Sequence, residues 1–441
     1  MTFHRAKPFS TLHTIALVVC VTGLALGLFS PVVGAQSGLT VNFADVHQQI
    51  AGFGAADVWL SALTDAQADL FFSPTNGIGL SILRMGIDPN GNSLSPYSDA
   101  TKAAARGAIV WAAPWSAPGA WKTNGTTTNG GDLLPADYNA WATSLAGFAA
   151  KVQTNAGVPL YGLSVQNEPD YTASYDSMLY TDQEMTNFIK VLGPKLAALN
   201  PRPKLMMPEV SSWGNAWGFS SSVLADTVAA PYLDVIAAHQ YGGVSAPQTS
   251  ARPIWETEQS SFESFDPSIG NGLMVARWIH DAITIGNVSA WHYWWLMGLN
   301  ADDEGLIGYS GNTTITKRLY TVGNFSKFVR PGFVVVGTTG SVSGVSVTAY
   351  ENASTGAFVV VAINQNASST PLTVTLNGLT ASTVTPWETS AAYNLVAQTP
   401  ITLTAGSFST TLDASSVTSF VGTGTSGVRP PAAPTNVRII R

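Results

Sequence analysis

The stretch Leu-Tyr-Gly-Leu-Ser-Val-Gln-Asn-Glu-Pro (160–169) decides how the rest of the chain is read. It is an apolar run of strand length that stops in an amide, a carboxylate and a proline. In a barrel of parallel strands the runs are near-continuously apolar, and their carboxyl ends form the mouth where chemistry is done. A second run, Pro-Ile-Trp-Glu-Thr-Glu (253–258), stops in the same manner. Two carboxylates, here Glu168 and Glu258, facing each other across a sugar are the minimum needed to break a glycosidic bond.

Outward from these two runs, further apolar runs recur at 49–55, 80–88, 108–116, 204–210, 235–241 and 288–296. Helical stripes separate most of them. Leu63, Ala66 and Leu70 keep helical spacing within 64–72, as do Trp141, Leu145, Phe148 and Val152 within 138–152, and further helices are predicted over 182–199 and 277–285. Repeated strand–helix alternation predicts an α/β fold of the (β/α)8 TIM-barrel type over 48–324. One link departs from the ideal, because too few residues separate Tyr241 from Pro253 for a crossover helix.

Beyond Asn324 the helical period ceases. Runs at 333–336, 345–350, 357–363, 372–376 and 407–412 are rich in β-branched residues and divided by Gly, Asn, Ser and Thr. They predict an antiparallel side β-sandwich over 325–423. A strand-like segment at 36–47 precedes the barrel and is expected to join that side domain. Residues 424–441 read as a linker-like tail.

The basic start (His4, Arg5, Lys7), the apolar stretch 14–29 and the small residues Val33-Gly34-Ala35 predict a signal peptide over 1–35, hence a secreted protein, extracellular or periplasmic. The single cysteine, Cys20, falls inside it, so packing rather than disulfides would hold the mature chain. Of the 441 residues only 11% are charged, and the net charge is −7. With no basic stripe, nucleic acid is excluded as a partner. No stable membrane association is expected after signal cleavage. A monomer acting on a neutral polysaccharide fits this weakly charged surface.

The strand ends supply Arg84 and Asp88, Trp115 and Ser116, Asn167 and Glu168, His239 and Tyr241, Glu256 and Glu258, and Trp291 with Tyr293, Trp294 and Trp295. Aromatic faces pack on the apolar faces of sugar rings, while carboxylates and amides bond the hydroxyls. In an alternating strand Glu256 and Glu258 point the same way, so periodicity does not separate them. His239 has no second histidine at metal spacing and reads equally as a wall residue or a substrate contact. Gly52-Phe53-Gly54 lacks the third glycine of a dinucleotide fingerprint.

Taken in order, 49–54 (Gln-Ile-Ala-Gly-Phe-Gly), Leu83-Arg84-Met85, Ala113-Pro114-Trp115-Ser116, Val165-Gln166-Asn167-Glu168-Pro169, His239-Gln240-Tyr241-Gly242 and Thr257-Glu258 resemble glycoside hydrolase family 30. The stretch 324–332 resembles that family's passage into its side domain. The resemblance implies a retaining mechanism without metal or cofactor, with Glu168 as acid/base and Glu258 as nucleophile. It also implies substrate contacts from Arg84, Trp115, Asn167, His239, Tyr241, Trp294 and Trp295. Family members dependent on a glucuronate branch carry an arginine shortly after the Trp-Trp pair. Here Leu296-Met297-Gly298-Leu299-Asn300 and then Asp302-Asp303-Glu304 follow. The expectation is therefore an endo-β-1,4-xylanase without strict glucuronic-acid dependence. A β-1,6-galactanase, a β-1,6-glucanase or a non-catalytic carbohydrate-binding protein are the alternatives.

Overall fold

A computed structural model of the chain describes residues 38–309 and 311–426. The segment predicted as a signal peptide and most of the predicted tail lie outside the described residues.

Eight parallel strands close into a barrel. In chain order they are Gly52–Ala56, Ile82–Ile87, Ile109–Pro114, Gly162–Ser164, Lys204–Ser212, Leu233–Tyr241, Ile254–Glu258 and Val288–Met297. The last pairs with both the first and the seventh and so closes the cylinder. Alternation divides each strand between two cores. Leu83, Met85, Val110, Ala112, Leu205, Met207, Ile236 and Ala238 pack with the surrounding helices. Ile82, Trp111, Ala113, Met206, Val235, Ala237, Trp255 and Ala290 fill a second cluster inside the barrel. The inward phase of Ile82 continues to Arg84, that of Ala113 to Trp115, and that of Ala237 to His239. Strand periodicity alone thus carries these side chains up the barrel axis to its mouth. Gly54 has a packing reason, since a Cβ there would lie 2.5 Å from the His292 ring and 2.8 Å from the Ile82 carbonyl oxygen.

The helices start and stop where local chemistry dictates. Asp65–Phe72 and Asp182–Ala197 begin in capping boxes, Thr64 with Gln67 and Thr181 with Glu184. Tyr138–Ala156 ends at Gly157, whose φ of 68° is left-handed. Ile269–Thr284 begins well before the expected 277, because the Ser268 hydroxyl caps it by accepting from the Gly270 N–H. Tyr97–Ala104, Ala216–Ala225 and Lys317–Ser326 complete the outer layer. The sixth and seventh strands are joined without a helix, as the short link requires.

The side domain is a ten-stranded, mainly antiparallel sheet. Its facing halves belong to one continuous hydrogen-bonded path that curls on itself. Phe408, on the strand at one end of the path, meets Phe420 of a strand near the other end at 4.9 Å between ring centroids. The strand Gly38–Gln49 lies within this sheet, antiparallel to Val334–Thr339 and parallel to Thr370–Asn377. Its Leu39, Val41 and Phe43 enter the sheet's own core. The last strand runs to Ser426, so Gly424–Ser426, expected in the tail, are paired with Leu379–Ala381 instead. Asn324 joins barrel to sheet: its side-chain amide donates to the Trp387 carbonyl at 2.9 Å and to Ser419 Oγ at 3.0 Å.

Phe43 is fully buried and meets Phe358 edge-on at 5.8 Å. Phe43→Ala is expected to cost about 3–5 kcal/mol in urea unfolding. A loss below about 1 kcal/mol would mean that the N-terminal strand is not an integral part of the sheet.

Candidate active site

A cavity of about 570 Å³ opens at the carboxyl ends of the strands. Glu168 and Glu258 lie in its wall with Trp115, Asn167, Tyr241, Trp294 and Trp295. One carboxylate oxygen each from Glu168 and Glu258, and one ring nitrogen of His239, all lie within 4.8 Å of one another.

Two local distortions aim these groups. Glu168 has φ 47° and Glu209 φ 62°, a left-handed conformation that costs a residue with a Cβ. The Glu168 N–H donates to the Glu209 carbonyl at 3.0 Å, so the two strained turns brace each other. The second distortion separates Glu256 from Glu258. Ala238 is level with Glu256 but His239 is level with Glu258, which marks a bulge in the seventh strand. Glu256 therefore keeps the outward phase of Ala238, and Glu258 takes the inward phase of His239. The expectation that both point the same way fails because the strand does not alternate there. Glu256 is fully buried and accepts from the His292 backbone N–H at 2.8 Å. Burial pushes its carboxyl well above the usual range.

Beneath the cavity floor lies a cluster of charge. The Arg84 guanidinium donates to Glu258 Oε2, to Glu209 Oε1 at 2.6 Å and to Asn167 Oδ1 at 2.6 Å. It is also flanked by the rings of Trp111, Trp115 and Trp294, with centroids 5.1–5.3 Å away. His239 Nδ1 lies 3.2 Å from Glu168 Oε1 and 3.8 Å from Glu258 Oε1, while its Nε2 lies 3.6 Å from Glu209 Oε1. Burial alone would lower the His239 pKa, but the charge of Glu258 and the contacts with Glu168 and Glu209 outweigh it and push it up to about 10. Burial alone would raise the Glu209 pKa, but Arg84 overcomes this and holds the carboxyl below its ordinary value. Tyr241 donates its hydroxyl to Glu258 Oε1 at 3.0 Å, and Tyr175 donates to Glu168 Oε2 at 3.2 Å.

Arg84 and His239, expected to contact substrate, are 1% and 0% exposed and lie outside the cavity lining. Their polar atoms are spent on the carboxylates and on Asn167. Trp115, Asn167, Tyr241, Trp294 and Trp295 do line it. Several lining or supporting residues escaped the sequence reading. Glu209 interrupts the fifth apolar run just as Glu168 ends the fourth, so the same rule would have found it. Trp59 follows the first strand closely, has φ 65°, and packs edge-on against Trp115, Trp294 and Trp295. Tyr175 comes from an irregular loop and carried no signal. Asn300 and Glu304 also face the cavity.

The model of the glycosyl hydrolase family 30 TIM-barrel domain matches residues 90–259. Glucuronoxylanase XynC of Bacillus subtilis (strain 168) is 33% identical over 428 residues, covering 92% of this chain and 97% of the relative. The solved structure of the family 30 subfamily 8 xylanase Xyn30A from Clostridium acetobutylicum is similar with a TM-score of 0.78 and 36% identity, over 88% of this chain and 99% of that one. A family 30 endoxylanase from Clostridium papyrosolvens C71 follows with a TM-score of 0.75 and 32% identity, over 88% of this chain and 100% of the other. With its barrel, its side sheet and relatives alike over almost their whole length, this chain belongs to glycosyl hydrolase family 30 and is an O-glycosyl hydrolase.

Proposed function

We propose that the protein is a retaining endo-β-1,4-xylanase that acts without strict need for a glucuronate branch, with Glu258 as nucleophile and Glu168 as acid/base. The observation that carries this reading is the close approach of the two carboxyl groups, within 4.8 Å oxygen to oxygen. Retaining glycosidases hold theirs about 5–5.5 Å apart, whereas inverting ones need more room for a water. The names of the relatives above support xylan as the polymer. The N-terminal apolar segment supports export, and no helix among the described residues is long and apolar enough to cross a membrane.

The pattern of buried charge supports this division of roles. Arg84 and protonated His239 balance two of the three carboxylates. Arg84 bonds both Glu209 and Glu258, and these charge-assisted hydrogen bonds suit Glu258 to attack as a carboxylate. Glu168, which Arg84 does not bond, takes the acid/base role in this reading. Glu258 attacks the anomeric carbon while Glu168 gives its proton to the leaving oxygen. In the second half, Glu168 takes a proton from water, and that water displaces Glu258 from the same carbon, restoring the original anomer. Tyr241 fixes the attacking carboxylate. Arg84 holds Asn167 Oδ1, which turns the amide N–H2 toward a sugar hydroxyl in the cavity. Trp115, Trp294 and Trp295 supply the apolar walls.

Glu168→Gln should keep the wild-type melting temperature to within a few degrees and lose about 10²–10⁴-fold in kcat on xylan. Glu258→Gln should lose at least as much. NMR of the freshly released sugar should show the β anomer first, and an α anomer would rule out the retaining assignment. Linear xylan, glucuronoxylan and β-1,6-glucan should be compared side by side, and cleavage confined to the β-1,6-linked polymer would refute the xylanase reading.

His239 makes a second prediction. Its folded pKa of about 10 lies above the ordinary 6.5, so its contribution to stability is complete below about pH 6.5 and is lost as pH rises through about 10. The gap in melting temperature between wild type and His239→Asn should therefore be widest near pH 6 and narrow steadily toward pH 10. A gap that stays constant over that range would show that His239 carries no proton in the native state.

A further inference from the structure

We propose that Glu304 sets the substrate class of this site, accepting a chain whose sugar unit beside Trp295 is neutral and turning away one that carries a uronate there. This rests on the xylanase reading above and narrows it.

Three acids follow the eighth strand, and the structure separates their fates. Asp303 is turned away from the cavity. Its Oδ1 accepts from Arg318 Nη1 at 2.6 Å and its Oδ2 from Asn271 Nδ2 at 2.7 Å. The Asp303 carbonyl accepts from the Tyr293 hydroxyl, which anchors the loop from below. Asp302 is spent as a local cap, accepting from the Glu304 N–H at 3.1 Å. Glu304 alone of the three lines the cavity, at 7% exposure. Its carbonyl accepts from the Trp295 N–H at 3.1 Å, and Asn300 Nδ2 donates to its Oε2 at 2.7 Å. The carboxylate is thus fixed beside an aromatic wall rather than swinging in solvent.

Among the residues lining the cavity, the carboxyl groups are those of Glu168, Glu258 and Glu304, and there is no Lys, Arg or His. Arg84 is not available to an incoming anion, being bound to Glu258, Glu209 and Asn167. A uronate brought against Glu304 would meet like charge with no cation in the cavity lining to offset it. A neutral xylose presents hydroxyls, which a carboxylate receives as hydrogen bonds.

The charge on Glu304 is itself adjustable. Burial pushes its carboxyl up to about 7, the Asn300 hydrogen bond works against this, and Asp302 and Glu258 add to the rise. The charged groups acting on it are Asp302 of its own loop and Glu258 of the seventh strand, while Asn300 and Trp295 are neutral. Discrimination should accordingly be weak near pH 5.5, where Glu304 is protonated, and strong near pH 8.

The test is a ratio. For wild type and Glu304→Gln, kcat/KM is measured on a linear xylo-oligosaccharide and on one of equal length bearing a glucuronate branch, at pH 5.5 and 8. The wild-type preference for the linear chain should rise at least about fivefold between the two pH values, within the range that one extra charge near a ligand produces. In Glu304→Gln the preference should be flat with pH and shifted toward the branched chain at pH 8. A methyl-esterified branch, which carries no charge, should be cut by wild type with no such pH dependence, and this arm does not depend on the variant folding. A wild-type ratio that is flat with pH, or an equal rise in Glu304→Gln, would overturn the role of Glu304 and leave the xylanase reading standing. Failure to cut either oligosaccharide would overturn both.

Discussion

Everything at the mouth of this barrel is arranged around the contact between Arg84 and its acidic partners. A guanidinium with 1% exposure has lost its water, and hydrogen bonds donated to oxygen acceptors replace that hydration. Glu209, Glu258 and Asn167 do so on three different strands. The same contact therefore ties the second, fourth, fifth and seventh strands together at their carboxyl ends. His239 adds a second buried cation from the sixth strand. The two cations face three carboxylates, Glu168, Glu209 and Glu258, within one buried cluster. Removing either cation would leave buried carboxylates uncompensated, and such a change reaches both glutamates at once.

Much of this was legible in the chain because a buried parallel strand is apolar wherever it can be. Departures from that rule mark the site, and Glu168, Glu258 and Arg84 are such departures. Glu209 obeys the same logic and was overlooked because it stands among methionines inside a run rather than at its end. What periodicity could not supply was geometry that breaks the period. The bulge between Glu256 and Glu258 reverses the facing of one residue relative to the other, and no residue type in Trp-Glu-Thr-Glu announces it. Trp59 and Tyr175 come from segments outside the regular elements, where neighbouring side chains and not local spacing decide direction. In the side domain, Leu379–Thr389 and Ser416–Ser426 were missed because they are rich in Ser and Thr and carry fewer large apolar residues than the strands beside them.

The split between cavity and floor separates recognition from reactivity. Aromatic residues, Asn167, Asn300 and Glu304 meet whatever enters, while Arg84, His239 and Glu209 face only protein. Sequence changes in the loop after the eighth strand can thus alter which polymer is welcomed without disturbing the charge cluster beneath. The loop is held at Asp303 by Arg318 and by a short strand beside Trp295.

The strand Gly38–Gln49 has one further consequence, for the order in which the protein can be made. Its partners, Val334–Thr339 and Thr370–Asn377, emerge from the ribosome on the order of tens of seconds later. The first barrel strand waits in the same way for the eighth. Neither the sheet nor the cylinder can therefore close before those later strands have been made, and until then the nascent polypeptide lacks the long-range contacts that complete them.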